Sequence, residues 1–233
     1  ELRLNMYVNP GMVLAAEPYL WRSFPVEDPS GLHWVYDEEI IATSSVGTEL
    51  ILFGKKNLYK LLGFGTANIR IIRLSEISSV GPRAHCYFDR YILFVCLDGI
   101  YMTDGQTIRK ISYEMDPLWF GREEPQCTRY VEQKIQESPY PFHVNRRALR
   151  NVCCLNDKTR QQVMISLPAN DSHENNMVWV FNYSDMLEGV GNGKWSIWGS
   201  DREPNYSGTA LDGTPFAGDT GGGATRNNPA TSP

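Results

Sequence analysis

Two pairs of adjacent carboxylates, Glu38-Glu39 and Glu123-Glu124, are the residues most suited to acid/base chemistry in this chain. Neighbours on a strand point to opposite faces, so neither pair can act on one bond, and solvated charge is the role their spacing predicts. Four histidines, His33, His85, His143 and His173, stand apart, with no second His at i+4 and no Gly-x-Ser-x-Gly nucleophile turn. They read as structural or surface residues. The five cysteines, Cys86, Cys96, Cys127, Cys153 and Cys154, are odd in number, include one adjacent pair and form no CxxC. That pattern predicts neither a disulfide framework nor a zinc site. Cys86, Cys96 and Cys153 fall in apolar strand-like runs and read as small buried hydrophobes, which fits synthesis in a reducing compartment. Gly63-Phe64-Gly65 lacks the third glycine of a dinucleotide loop, and Gly218 to Gly223 lacks the Gly-Lys-Ser/Thr of a phosphate loop. The residue types therefore predict no catalytic site, no metal site and no cofactor.

Aromatic residues carry more information. Trp179, Trp195 and Trp198 lie in or next to strand-like runs, and Tyr19, Trp21, Phe24 and Trp34 form a second group near the N-terminus. Packing between sheets is their plain role, and a carbohydrate- or protein-binding platform is the sharper one. Three Asn-x-Ser patterns, at Asn170, Asn182 and Asn205, carry little weight without a secretory signal.

The composition sets the frame for these residues. With 233 residues, 42% of them hydrophobic, 12% aromatic and 21% charged, the chain has the make-up of a folded globular protein long enough to bury most of its apolar surface. A net charge of −5 and the lack of a Lys/Arg run argue against a general binder of nucleic acid or acidic membrane. The longest uncharged apolar stretch, Tyr91 to Leu97, is far short of the roughly 18–20 residues of a spanning helix, and no segment has the order of a signal peptide. The sequence starts at Glu1 without Met, which reads as a processed product or a portion of a longer chain.

The elements that must position these residues are strands. Short runs rich in Val, Ile, Tyr and Phe, bounded by Gly, Asn, Asp or Pro, predict strands at Glu49 to Phe53, Leu58 to Leu62, Tyr91 to Leu97, Ile100 to Thr103, Gln162 to Leu167, Met177 to Tyr183 and Lys194 to Trp198. Asp98-Gly99 and Asp104-Gly105 are turn dipeptides between such runs. Ile51-Leu52-Phe53 precedes a Gly-Lys-Lys-Asn turn and Leu58-Tyr59, much as Ile92-Leu93-Phe94 precedes Asp98-Gly99 and Ile100-Tyr101, with Tyr59 and Tyr101 separated by 42 residues. A period of about 40–50 residues with several short strands per unit is the spacing of β-propeller blades. A third, more divergent unit has strands at Asn151 to Leu155, Gln162 to Leu167, Met177 to Tyr183 and Lys194 to Trp198, and a fourth begins near Tyr206. A β-sandwich with similar hairpins is the alternative fold.

The expected organisation is an N-terminal extended segment (1–39), two propeller-like blades (40–115), an insertion (116–150), further blade or blades (151–220) and a flexible tail (221–233). Within the insertion, Thr128 to Gln136 has helix-compatible apolar spacing between Pro125 and Pro139.

The order of four stretches resembles a family of β-propeller-like structural proteins of tailed bacteriophages, which includes the tail nozzle or hub proteins of short-tailed phages. The first is Glu17-Pro18-Tyr19-Leu20-Trp21-Arg22-Ser23-Phe24-Pro25. The second runs from Ile40-Ile41-Ala42-Thr43-Ser44-Ser45-Val46-Gly47 through Glu49-Leu50-Ile51-Leu52-Phe53 to Asn57-Leu58-Tyr59-Lys60-Leu61-Leu62-Gly63. The third is Leu97-Asp98-Gly99-Ile100-Tyr101-Met102-Thr103-Asp104-Gly105-Gln106-Thr107-Ile108-Arg109-Lys110-Ile111-Ser112. The fourth joins Asn156 to Pro168 and Met177 to Trp198, followed by Phe216-Ala217-Gly218-Asp219. Each is degenerate alone, and the weight lies in their order. The chain departs from the family pattern in its longer 116–150 insertion and in a Gly/Asn/Pro tail where the closing strand of the last blade is expected.

This resemblance implies a non-enzymatic virion protein of the nozzle, hub or head-to-tail connection, made in the host bacterial cytoplasm and assembled as a homo-oligomeric ring around the DNA exit channel. It implies contacts with adaptor or portal-side proteins and tail fibres, with DNA ejected through the ring and not bound specifically. An acidic wall suits that passage, because it does not hold phosphate. A receptor- or glycan-binding propeller module is the alternative function.

Overall fold

The computed structural model describes residues 38–47, 49–62, 70–120, 143–189 and 191–197 with their side chains, and the backbone of 12–14, 32–34, 198–199, 206–209, 215–218 and 224–226. Two short strands, β1 (Met12–Leu14) and β2 (Leu32–Trp34), pair antiparallel. Three four-stranded meanders follow in chain order. The first contains β3 (Ile40–Val46), β4 (Glu49–Gly54), β5 (Leu58–Leu62) and β6 (Arg70–Ser75). The second contains β7 (His85–Phe88), β8 (Tyr91–Cys96), β9 (Gly99–Thr103) and β10 (Ile108–Lys110). The third contains β11 (Cys153–Asp157), β12 (Gln162–Leu167), β13 (Met177–Asn182) and β14 (Lys194–Gly199). A three-stranded sheet of β15 (Tyr206–Thr209), β16 (Pro215–Gly218) and β17 (Ala224–Arg226) ends the chain.

All neighbouring strands are antiparallel, so each four-stranded sheet is an up-and-down blade. The first strands of successive sheets touch, β3 with β7, β7 with β11 and β11 with β15. Blades joined through their first strands and stacked in chain order form a propeller-like fold, mainly β, and not a two-layer sandwich.

Side-chain alternation explains how the blades stack. Along β8, Ile92, Phe94 and Cys96 face the first blade, where they meet Ile51, Phe53 and Leu58, while Leu93 and Val95 face the third blade with Val163, Ile165 and Leu167. A strand buried on both faces must be apolar throughout, which is why the second blade gives the clearest apolar run. The outer-facing side of the first blade buries Leu52 and Tyr59, and that of the third buries Leu155, Met164 and Val180.

The repeat is real, but its two markers are out of step. Tyr59 pairs with Leu52 and Tyr101 with Phe94, both pairs separated by the same 42 residues and both on the side facing away from the following blade. The Ile-Leu-Phe triplets lie one residue off that period. Ile51 and Phe53 therefore point forward to the second blade while Ile92 and Phe94 point back to the first, and the triplets face each other.

The insertion is anchored at both described ends. Helix α1 (Asp116–Phe120) follows a 3-10 turn (Tyr113–Met115), and a second 3-10 turn (Arg146–Asn151) precedes β11. Leu118, Trp119, Val144 and Leu149 from these ends fill the core between the second and third blades. The rings of Trp119 and Trp179 meet edge to face, with centroids 5.7 Å apart. The second turn displaces the expected start of the third unit from Asn151 to Cys153. There the Asn145 side chain accepts from the Arg147 amide at 3.2 Å, and the Val152 amide donates to the Leu149 carbonyl at 3.0 Å. The helix expected over Thr128 to Gln136 lies outside the described residues. Beyond Gly218-Asp219, β17 pairs with β16.

Candidate functional site

Because strands alternate in direction, the β4–β5, β8–β9 and β12–β13 turns and the links between blades share one end of the sheets. At this end the junction of the first two blades holds a cleft of about 810 Å³. Its walls come from the start of β3, the β4–β5 turn, the link from β6 to β7, the β8–β9 turn and the Arg146–Asn151 turn.

The β4–β5 turn is shaped by Glu38. Its carboxylate accepts from the Asn57 amide at 3.1 Å, the Asn57 side chain at 2.5 Å, the Tyr59 hydroxyl at 2.7 Å and the Lys56 amide. Burial would raise this carboxyl, but the donors from Tyr59, Asn57 and Lys56 together hold it below the ordinary carboxylate range. Its neighbour Glu39 pairs with Lys55 at 2.7 Å. The two acids thus serve separate polar contacts, and Lys55 and Lys56 are presented at the cleft.

Across the cleft, Asn145 orients the second 3-10 turn, also donating from Nδ2 to the Ser172 carbonyl at 2.8 Å. Arg146 is tied down, donating from Nε to the Leu97 carbonyl at 2.9 Å with its guanidinium 5.3 Å from the Phe120 ring centroid. Gly81 lets the β6–β7 link approach this turn. A Cβ there would sit 2.6 Å from the Arg150 carbonyl oxygen.

Five basic side chains, Lys55, Lys56, Arg146, Arg147 and Arg150, line the cleft against three acids, Glu39, Glu76 and Asp98. Glu39 is taken by Lys55, and Asp98 accepts from the Tyr101 hydroxyl at 2.6 Å. Among the described residues, no carboxylate lies within ion-pairing distance of Lys56, Arg147 or Arg150. The cleft is a local basic excess in an acidic chain. Sequence reading missed it because Lys55-Lys56 and Arg146-Arg147 are separate doublets that only the blade stacking brings together. The doublets themselves are the signal, once both are placed on turns at the same end.

The other residues considered for chemistry do not converge. His85 is partly buried, with its ring 4.8 Å from that of Phe53, and burial lowers its pKa against a raising hydrogen bond to the Thr43 backbone. His143 and His173 are exposed, and His33 lies on β2. Cys86, Cys96, Cys153 and Cys154 are free thiols, and burial pushes Cys86, Cys96 and Cys154 well up. Cys127, Glu123-Glu124, Gly63-Phe64-Gly65, Tyr19, Trp21 and Phe24 lie outside the described residues. Among the described residues, no group of three or more His, Cys, Asp or Glu side chains could hold a metal ion.

Trp179 is fully buried in the core between the second and third blades. Trp195 packs against it with ring centroids 6.2 Å apart and donates from Nε1 to the Ile111 carbonyl at 3.1 Å. These two side chains tie the blades together and form no open platform.

No protein-family model and no curated protein sequence matches the chain. Among solved structures it is similar to the extracellular domain of BT4673 from B. thetaiotaomicron, with TM-score 0.51 and 14% identity over 97% of this chain and 25% of that one. It also aligns with the WD40 domain of Neurospora crassa Pan2, with TM-score 0.46 and 10% identity over 96% of this chain and 53% of that one. The chain thus spans about a quarter and about half of the chains it resembles. Three four-stranded antiparallel sheets stacked through their first strands, together with the likeness to the BT4673 domain, make this a propeller-like fold.

Proposed function

We propose that this chain is a non-enzymatic structural protein of a phage virion, part of a tail nozzle or hub or of the head-to-tail connection, where copies assemble as a ring around the DNA exit channel. The observation that carries the reading is the placement of the resembling stretches. The Ile40 to Gly63 stretch falls on β3, β4 and β5, Leu97 to Ser112 on β9 and β10, and the fourth on β12, β13 and β14, so their order follows successive blades. Rigidity supports it as well, since the three blades share continuous apolar cores and offer a stiff wall built from turns and sheets. Loops and the 116–150 insertion, rooted in the core by Trp119, would dock neighbouring subunits, adaptor or portal-side proteins and fibres.

The mechanism in this reading is mechanical. DNA passes through the ring at ejection and is not bound specifically, and the protein is synthesised in the host cytoplasm before joining the virion tail. The alternative of a receptor- or glycan-binding module draws no support from Trp179 or Trp195, both of which are packed. Electron microscopy of the purified protein, with immunoblotting of virion fractions, tests the proposal. The expected result is a closed ring of several copies and co-purification with particles. A protein that stays monomeric at high concentration and is absent from particles overturns it.

A further inference from the structure

We infer that the basic cleft at the junction of the first two blades is a docking groove for an extended peptide segment of a partner protein, one in which carboxylates are interspersed with apolar side chains. Charge complementarity selects the carboxylates. Lys56, Arg147 and Arg150 are exposed, line one cleft and have no carboxylate within ion-pairing distance among the described residues. The apolar part follows from the same walls. Ile41, Ile77, Val80 and Leu97 share the lining with the cations, and Leu97 is 61% exposed there.

The competing ligands fit less well. A nucleic-acid backbone is uniformly anionic and single strands gain affinity by stacking on aromatic faces, whereas this lining includes Glu39, Glu76 and Asp98 and no aromatic residue. A small-molecule site has a few buried polar groups converging on one point, but here Lys56, Arg147 and Arg150 lie exposed, as in the polar rim of a peptide or protein interface. The inference does not depend on the tail-ring reading, because it needs only the cleft.

The test is fluorescence anisotropy on the full chain, with the labelled peptide Gly-Glu-Leu-Asp-Ser-Ile-Glu-Gly-Leu-Asp as probe. Its counterpart with Lys at every acidic position and a single-stranded oligo-dT serve as comparisons. The acidic peptide is expected to bind, more weakly as salt rises, while the basic peptide does not and oligo-dT binds less tightly. Combined Arg147→Glu and Arg150→Glu should weaken binding about tenfold or more, since two favourable contacts become repulsive. Leu97→Ser should weaken it by a smaller factor, and Lys158→Glu, on the β11–β12 turn at the opposite end of the sheets, should leave it unchanged. Because neither arginine has an ion-pair partner to lose, the double variant should keep the parent melting temperature. No binding of the acidic peptide, equal or tighter binding of oligo-dT, or an unchanged affinity in a folded double variant overturns the inference. None of these outcomes alters ring formation, so failure here is separable from failure of the tail reading.

Discussion

Glu38 holds the β4–β5 turn through several donors at once, and its amide analogue would turn two of those acceptor contacts into donor-donor clashes. Glu38→Gln is expected to cost about 1–2 kcal/mol at pH 7, measured by urea unfolding. The folded carboxyl titrates below its ordinary value, so its contribution is present above pH 4.5 and is lost as pH falls through the folded value. The gap between parent and variant should close in strong acid, and a gap that stays constant with pH would refute the role. His85 has the same sign for a different reason. Burial keeps it neutral when folded, while the unfolded chain takes up a proton below about pH 6.5. Stability should therefore fall as pH drops from 7 toward 5, and His85→Gln should flatten that slope in thermal melts. At this scale the sequence predicted solvated charge for both Glu38 and Glu39, whereas Glu38 is half-buried as the acceptor that holds the β4–β5 turn and Glu39 pairs with Lys55 of the same turn. It could not show which turns face one cleft, because that depends on contacts between blades and not on neighbours in the chain.

The elements differ in how far pattern alone reveals them. The runs at β5 and β12 match their strands residue for residue because both ends are marked by polar or turn residues. β6 and β10 are edge strands of their sheets, interrupted by Arg70 and Arg73 or by Arg109 and Lys110, and give no long apolar run to recognise. β7 is only four residues long, and α1 has five, too few for any helical period. Trp119 on α1 is nevertheless a central core residue, fully buried against Trp179 and donating from Nε1 to the Leu97 carbonyl at 2.9 Å. Trp119→Ala should cost about 3–5 kcal/mol in urea unfolding. Hydrogen exchange should speed up in both β8 and β12, and a loss confined to the insertion would show that α1 is peripheral. Gly81→Ala should push the β6–β7 link away from Arg150 and cost about 1–3 kcal/mol in the same measurement, as a Cβ meeting backbone has no side-chain rotamer to escape into.

Across the whole molecule, length and the 42-residue spacing were enough to expect about three blades, and three four-stranded sheets are present. The stacking order was not legible, since both faces of β8 are apolar and nothing in its composition says which neighbour each face meets. The second blade contributes to both inter-blade cores, so the three blades should unfold in one transition, with tryptophan fluorescence and far-UV circular dichroism superimposing on heating. Two separated transitions would mean that the first blade opens on its own. The two-sided burial of β8 has one more consequence, for error correction during folding. In an ordinary half-buried strand, a slip by one position is punished because polar groups enter the core. Here a slip would only exchange Phe94 with Val95 between neighbouring blades, apolar for apolar. The counting must fall to the Leu97-Asp98 turn, closed by the Cys96–Gly99 pair, where Gly99 has φ +147° and an added Cβ would lie 2.4 Å from Lys110 Cε. That two-residue turn is the ruler of the fold, and one residue inserted there would give a chain still greasy inside but threaded to the wrong mark.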